Sequence, residues 1–303
     1  MSGLVGRNAE TFGMLMAGLA FVAAAASCAD HPMAPRLETL AQSEFVIADA
    51  TDREAVMRVL ITCADDPDPF WRDTIGYSGL SAILRRDPIA PDTMQFLTAQ
   101  VQSEMKRRIG SDTFAAAFLP LYLSEIIRVD RLDPFLTPED RSLIAETVAQ
   151  YLEAISDYRG FVEGEGWRHQ VAHAADAALQ LALNPLASDA IRGRLRDALL
   201  NQVAPSSGHF YVFGEPERLA RAFVYNVNAS ALPEDGIVGM LGSLAEPGPA
   251  GSWENAYQST AKLARLHNTK AFLSAVIVAL AEQDDPKLSA LRVEALSVHR
   301  ALP

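Results

Sequence analysis

A chain of 303 residues with 49% hydrophobic and 21% charged side chains can bury a substantial core, which rules out a disordered polymer and leaves one large domain or two. Its formal charge is −12, from 26 Lys+Arg against 38 Asp+Glu, and the basic residues nowhere form a run with interleaved aromatics. Counterion release at phosphates needs such a patch, so nucleic acid is not among the expected partners.

The first readable element is a leader. Thr11 to Ala26 (TFGMLMAGLAFVAAAA) follows Arg7, carries no charge and ends in small residues. At about 16 residues it is short for a membrane span of about 20, and its layout is that of a secretory signal. Ala25-Ala26-Ser27-Cys28 resembles the lipobox of bacterial lipoproteins, in which the Cys becomes the lipidated first residue of the mature chain. On that reading residues 1–27 are the signal, Cys28 carries the lipid, 28–50 hold a tether and a first helix, and 51–303 form a single domain. The expected location is the bacterial cell envelope, facing the periplasm or the outside, with the lipid as the link to the membrane. Only two Cys are present. With Cys28 acylated, Cys63 has no intramolecular partner, and a Cys28–Cys63 bridge is the competing reading. Pro32 and Pro35 mark Ala29 to Arg36 as the short tether.

From residue 51 the pattern is helix after helix. Thr51-Asp52-Arg53-Glu54 reads as a capping box opening a helix through Cys63. Asp68-Pro69 introduces the next, with Trp71, Ile75, Leu80, Ile83 and Leu84 at helical spacing up to Asp87-Pro88. Pro91 starts a helix that stops at Gly110, with Lys106, Arg107 and Arg108 in the last turn, where the dipole favours cations. Ser111 is the expected cap of a more apolar helix containing Phe114, Phe118, Leu121 and Ile126, bent at Pro120. Thr137-Pro138-Glu139-Asp140 is a strong start signal leading through Tyr151. Further helical patterns run from Ser188 to near Val203, from Glu215 to near Asn228, and over 234–245, 253–266, 269–282 and 286–300. The run His209 to Phe213 is the one β-like stretch, too short to build a sheet. About a dozen helices joined by short turns predict an all-α fold of the HEAT/ARM-like helical-repeat type, an α-solenoid or α-α superhelix.

The stretch from Asp157 to Asp176, DYRGFVEGEGWRHQVAHAAD, stands out. At about 100° per residue His169, His173 and Asp176 fall on one stripe of a helix, with Gln180 extending it. The opposite face would hold Trp167, Val171, Ala174, Ala178 and Ala182. A helix apolar nearly all round lies inside a protein, so the polar stripe is expected to face an internal cleft.

Arg159-Gly160, Gly166-Trp167, His169, Ala172-His173 and Ala175-Asp176 resemble the RG…GWxHxxAHxAD signature of a bacterial family, domain of unknown function 2785. Arg72-Asp73 followed by Tyr77, and Glu215 with Arg218-Leu219-Ala220, resemble that family's flanking motifs in the expected order. The likeness spans roughly residues 65 to 225. It departs at Ile155-Ser156, where an acidic-basic pair is expected, and at Phe114 to Phe118, which lacks an Arg-Ser-Phe pattern. The resemblance implies an all-helical, HEAT-like protein and leaves its activity open.

Three readings of the stripe follow. His169 and His173, four apart, can present two ligands to Zn²⁺, which needs one or two more, with Glu215, Glu217 and His209 as candidates and Asp176 orienting His173 from behind. No HExxH is present, because Gln170 follows His169. Without a metal, His173 and Asp176 can form an acid/base pair, with Arg159 neutralising an anionic substrate or Asp176 itself. The third reading, which carries the most weight, is a buried polar network holding the Arg159-Gly160 loop and the Glu215 helix against the central helix. Arg72, Asp73, Tyr77, Trp167, Glu215 and Arg218 are the candidate ligand-binding residues. His31, His267 and His299 carry no motif. The function expected first is a binding or scaffold module for a protein, peptide or small molecule; the alternative is a Zn-dependent or His/Asp acid-base hydrolase.

Overall fold

The computed structural model describes residues 27–248 and 251–303. The signal expected over 1–27 therefore lies, except for Ser27, outside the described residues. The chain runs through α1 (Ala34–Gln42), α2 (Ala50–Thr62), a π-helix (Phe70–Tyr77) continuing into α3 (Ser78–Arg86), α4 (Pro91–Arg107), α5 (Phe114–Leu132) and α6 (Pro138–Glu153). A two-stranded hairpin, β1 (Phe161–Val162) and β2 (Gly166–Trp167), precedes α7 (Gln170–Leu183), α8 (Asp189–Asn201), α9 (Glu215–Ala229), α10 (Thr260–Ala279) and α11 (Pro286–Ala301). The fold is an all-α helical stack. One row is α5, α7, α9 and α10; a second is α4, α6 and α8; successive pairs α4/α5, α6/α7 and α8/α9 pack across the two rows. Among the described residues no helix is long and apolar enough to cross a membrane.

The helix starts follow ordinary capping chemistry. Thr137 and Asp140 close a reciprocal capping box at α6, and Thr113, Ser188 and Asp285 accept from backbone N–H groups of α5, α8 and α11. Two expected caps differ. The first-turn N–H of α2 is met by Asp49 rather than by a box at Thr51, and α5 is capped by Thr113 rather than Ser111. The pattern expected as a helix over 234–245 and the first part of the one expected over 253–266, Trp253–Gln258, are short 3-10 turns, because Gly236, Gly239 and Gly242 interrupt the first and Ser252 and Ser259 bound the second. The rest of the 253–266 pattern is merged with the one expected over 269–282 in α10, which starts at Thr260 and in which buried Asn268 bonds Tyr211 N and His209 O instead of ending the helix.

Residues 28–47 are not a free tether. Cys28, Ala34, Leu37, Phe45 and Ile47 are buried in the core, and Cys28 is disulfide-bonded to Cys63 at the end of α2. A sulfur in a disulfide cannot also carry the thioether of a lipoprotein. Of the two readings of Cys28, the structure carries the pairing with Cys63.

The core of the stack is α7. Its sequence QVAHAADAALQLAL is alanine-rich, and alanine combines the best helix propensity with a side chain small enough to let neighbours approach closely. Helices α5 and α9 flank it, and only Asp176, Gln180 and Leu183 keep appreciable exposure. At its far end Asn184, wholly buried, donates to Asp130, which also accepts from Arg141 and from the N–H groups of Phe135 and Leu136. That carboxylate is fully buried, yet these donors outweigh the effect of burial and hold it below its ordinary range.

Candidate functional site

The N-terminal ends of α5, α7 and α9 lie side by side. Gln170 Nε2 donates to Ser111 O, and His173 Nδ1 lies 2.9 Å from Ala117 O, so the first turns of α5 and α7 are tied together. Since a carbonyl only accepts, His173 carries its proton on Nδ1.

The hairpin feeds the signature into this corner. Gly166 adopts φ 83°, and a Cβ there would meet Arg72 Nη2 at 2.9 Å, so a side chain is excluded twice over. Arg72 is fully buried and is the hairpin's anchor. Its Nη2 donates to Glu165 O (2.8 Å), Nη1 to Asp66 O (3.2 Å) and Nε to Asp73 (2.7 Å), and its guanidinium lies over Phe114, 4.1 Å from the ring centroid. Trp167 does not lie on the helix as expected. It sits on β2, is 39% exposed, and stacks on His169 at 4.6 Å with Phe161 and Phe213 edge-on to it.

His169 is also off the helix. It is the cap residue of α7 in the left-handed conformation (φ 47°, ψ 37°), so the expected three-residue helical stripe reduces to His173 and Asp176. Left-handed backbone at a non-glycine residue stores strain and persists only where its surroundings enforce it. Here Arg159 O accepts His169 N and Gly160 O accepts Arg168 N.

Within the cluster, His169 Nε2 lies 3.5 Å from Glu215 Oε1, a long contact that leaves neither buried atom with a well-aligned hydrogen bond. Glu215 Oε2 accepts from Phe213 N at 2.9 Å. Burial acts to raise the Glu215 carboxyl, but His169 and the two backbone N–H groups outweigh it and keep the group below its ordinary range. The His173 ring is edge-on to Phe118 (5.2 Å) and to His169 (5.7 Å). Burial first, then the neighbouring His169, lowers the pKa of His173 from 6.5 to about 3, so it is neutral at physiological pH.

The structure therefore brings His169, His173 and Glu215 into one corner. The expected His173–Asp176 acid/base pair is absent, because Arg218 grips Asp176 through Nε (2.9 Å) and Nη2. Arg159 does not reach Asp176 either. Its guanidinium is bidentate to Asp157 (2.8 Å to each oxygen) and lies 3.8 Å from Asp112. Among the described residues no group of three or more His, Cys, Asp or Glu is arranged to hold a metal ion. Tyr77 donates to Glu125, and burial with that carboxylate pushes its hydroxyl up to about 12, while burial raises Asp73.

Sequence reasoning missed an open cleft of about 730 Å³ beside this corner, lined by Ser111, Asp112, Ser156, Asp157, Arg159 and His209, among others. His209, named above as a candidate metal ligand, stacks on Tyr158 and lines this cleft. The Gly110-Ser111 and Ser206-Ser207-Gly208 turns were the available signal, since such clusters mark loops, and loops over a rigid scaffold carry binding sites.

No curated protein and no solved structure matches the chain. A family model matches residues 101–278, beyond the C-terminal limit of the resemblance seen in the sequence and short of the Arg72-Asp73…Tyr77 motif. That match covers more than half of the 303 residues and takes in the whole Arg159-to-Asp176 corner, so the chain belongs to the family described as protein of unknown function (DUF2785).

Proposed function

We propose that the protein is a helical scaffold that binds a protein, peptide or small polar ligand in the cleft beside the signature. One observation carries this reading. The polar side chains that a catalytic site would need are already engaged internally: Asp176 by Arg218, Arg72 by three carbonyls and Asp73, and His173 as a neutral donor to Ala117 O. General acid-base work needs a group able to exchange protons near the operating pH, which a His held at about 3 does not supply. The uncharged 11–26 stretch and the Cys28–Cys63 disulfide support placing this scaffold outside the cytoplasm.

The left-handed His169 beside Glu215 favours one second reading, a Zn-dependent or acid-base hydrolase with His169 at its centre. Two measurements separate the readings. A photo-crosslinking residue at Ser156 in the cleft should trap a partner in cells, and one at Asp197 on α8 should not. Stoichiometric zinc in the purified protein, lost in His169→Ala, would overturn the binding reading.

A further inference from the structure

We infer that the chain is matured on export by hydrolysis of the Ala26–Ser27 peptide bond, and that Ser27 and Cys28 are then seated on Asp66 while Cys28 closes its disulfide onto Cys63. The proposal is independent of what the cleft binds.

Three observations converge on it. Cys28 and Cys63 are bonded, with Cα atoms 5.2 Å apart, a separation that disulfides ordinarily span. Both residues are buried, at 4% and 0% exposure, so the pair is shielded from reductants, and such pairs form and persist in oxidising compartments. Lipobox processing would cut one residue later, after Ser27, and would need the Cys28 sulfur as a thioether, which the disulfide precludes.

The second observation is the seat itself. Asp66 is 3% exposed, and its Oδ2 accepts from Ser27 Oγ (2.9 Å) and from Cys28 N (2.6 Å), while Oδ1 accepts from Asp68 N (2.9 Å). Among the described residues no cationic side chain pairs with that carboxylate. A buried carboxylate met only by neutral donors lacks a counter-charge. Hydrolysis at Ala26–Ser27 creates an ammonium on the residue whose hydroxyl already touches Asp66.

The third is the sequence ahead of Ser27. The uncharged stretch ends Ala23 to Ala26, and Ala24 and Ala26 occupy the two small-residue positions of an A-x-A cleavage site. The chemistry balances. Water adds across the bond to give the Ala26 carboxylate and the Ser27 ammonium. The two thiols lose two protons and pass two electrons to a thiol-disulfide oxidoreductase of that compartment.

The full chain, expressed in a bacterial host with an oxidising periplasm, supplies the test by fractionation, intact-mass measurement and N-terminal sequencing. The expected product is soluble in the periplasm, begins at Ser27, is about 2 Da lighter than the reduced chain, and yields a Cys28–Cys63 linked peptide that separates on reduction. In Cys28→Ser the leader should still be removed at the same bond while the linked peptide disappears. A product beginning at Cys28 with a lipid mass, or a Cys28→Ser chain that stays unprocessed, overturns the proposal. So does a product that keeps residues 1–26 or free thiols.

Discussion

His173 gives the sharpest test of the buried corner. Its pKa is about 3 in the folded protein against 6.5 ordinarily, so the unfolded chain takes up a proton below about pH 6.5 that the folded chain refuses. Stability from this group is therefore fully present above the unfolded value and is lost as pH falls towards the folded one. Between about pH 7 and about pH 5 the loss integrates to about 2 kcal/mol. His173→Asn retains a donor near the Nδ1 position for Ala117 O and removes the titration. The variant should be less stable at neutral pH by about 1–3 kcal/mol, through lost packing on Phe118. That gap should close by about 2 kcal/mol on acidification, because only the wild type carries the proton penalty. Urea unfolding of both proteins across this range measures it, and buried carboxylates such as Asp130 and Glu215 contribute to both curves and cancel. A gap that stays constant with pH would show that His173 is accessible to protons and that the corner is not sealed.

Two further substitutions probe the frame around that corner. Asp130→Ala leaves Arg141 buried without its carboxylate and Asn184 without its acceptor, and should cost about 3–5 kcal/mol in chemical denaturation; a loss below about 1 kcal/mol would mean water replaces those contacts. Gly160→Ala puts a methyl group into the Phe213 ring. It should displace that ring from Trp167, changing the tryptophan emission and lowering the melting temperature, whereas an unchanged spectrum and melt would refute the packing.

Much of the stack was legible because its helices announce themselves locally. Pro91, Thr137-Pro138, Ser188 and Asp285-Pro286 stand where the helices begin, and the apolar 3.6-residue period between them needs no tertiary information. His169 was misplaced because nothing in its neighbours forbids helix. The left-handed turn is enforced by hydrogen bonds to Arg159 and Gly160, residues brought back by the hairpin. The grouping of His169 with Glu215 was anticipated from burial alone, since an imidazole on an apolar helix needs a partner. Arg159 and Asp176 followed the same rule but found closer ones, Asp157 two residues away and Arg218 on the next helix. Asp130 was invisible beforehand: its role comes from donors on three separate stretches of chain.

The polar contacts around α7 do something its apolar residues cannot. An alanine-rich helix buries little area per side chain and offers few large knobs, so a slide or rotation against α5 and α9 would forfeit little hydrophobic stabilisation. Register must come from contacts that fail when the helix moves. Gln170 and His173 bind backbone carbonyls of the α4–α5 connection and α5, Asp176 binds Arg218 on α9, and Asn184 binds Asp130 at the other end of α5. Moving α7 by one turn, about 5.4 Å, breaks all four; the half-buried Asp176–Arg218 pair can turn to water, but the buried Gln170, His173 and Asn184 contacts leave unpaired groups that cost about 1–3 kcal/mol each. Small side chains allow the close approach, and the polar pins select one alignment within it. The same rigid alignment fixes where the loops after α4, α6 and α8 come together, which is where the cleft lies.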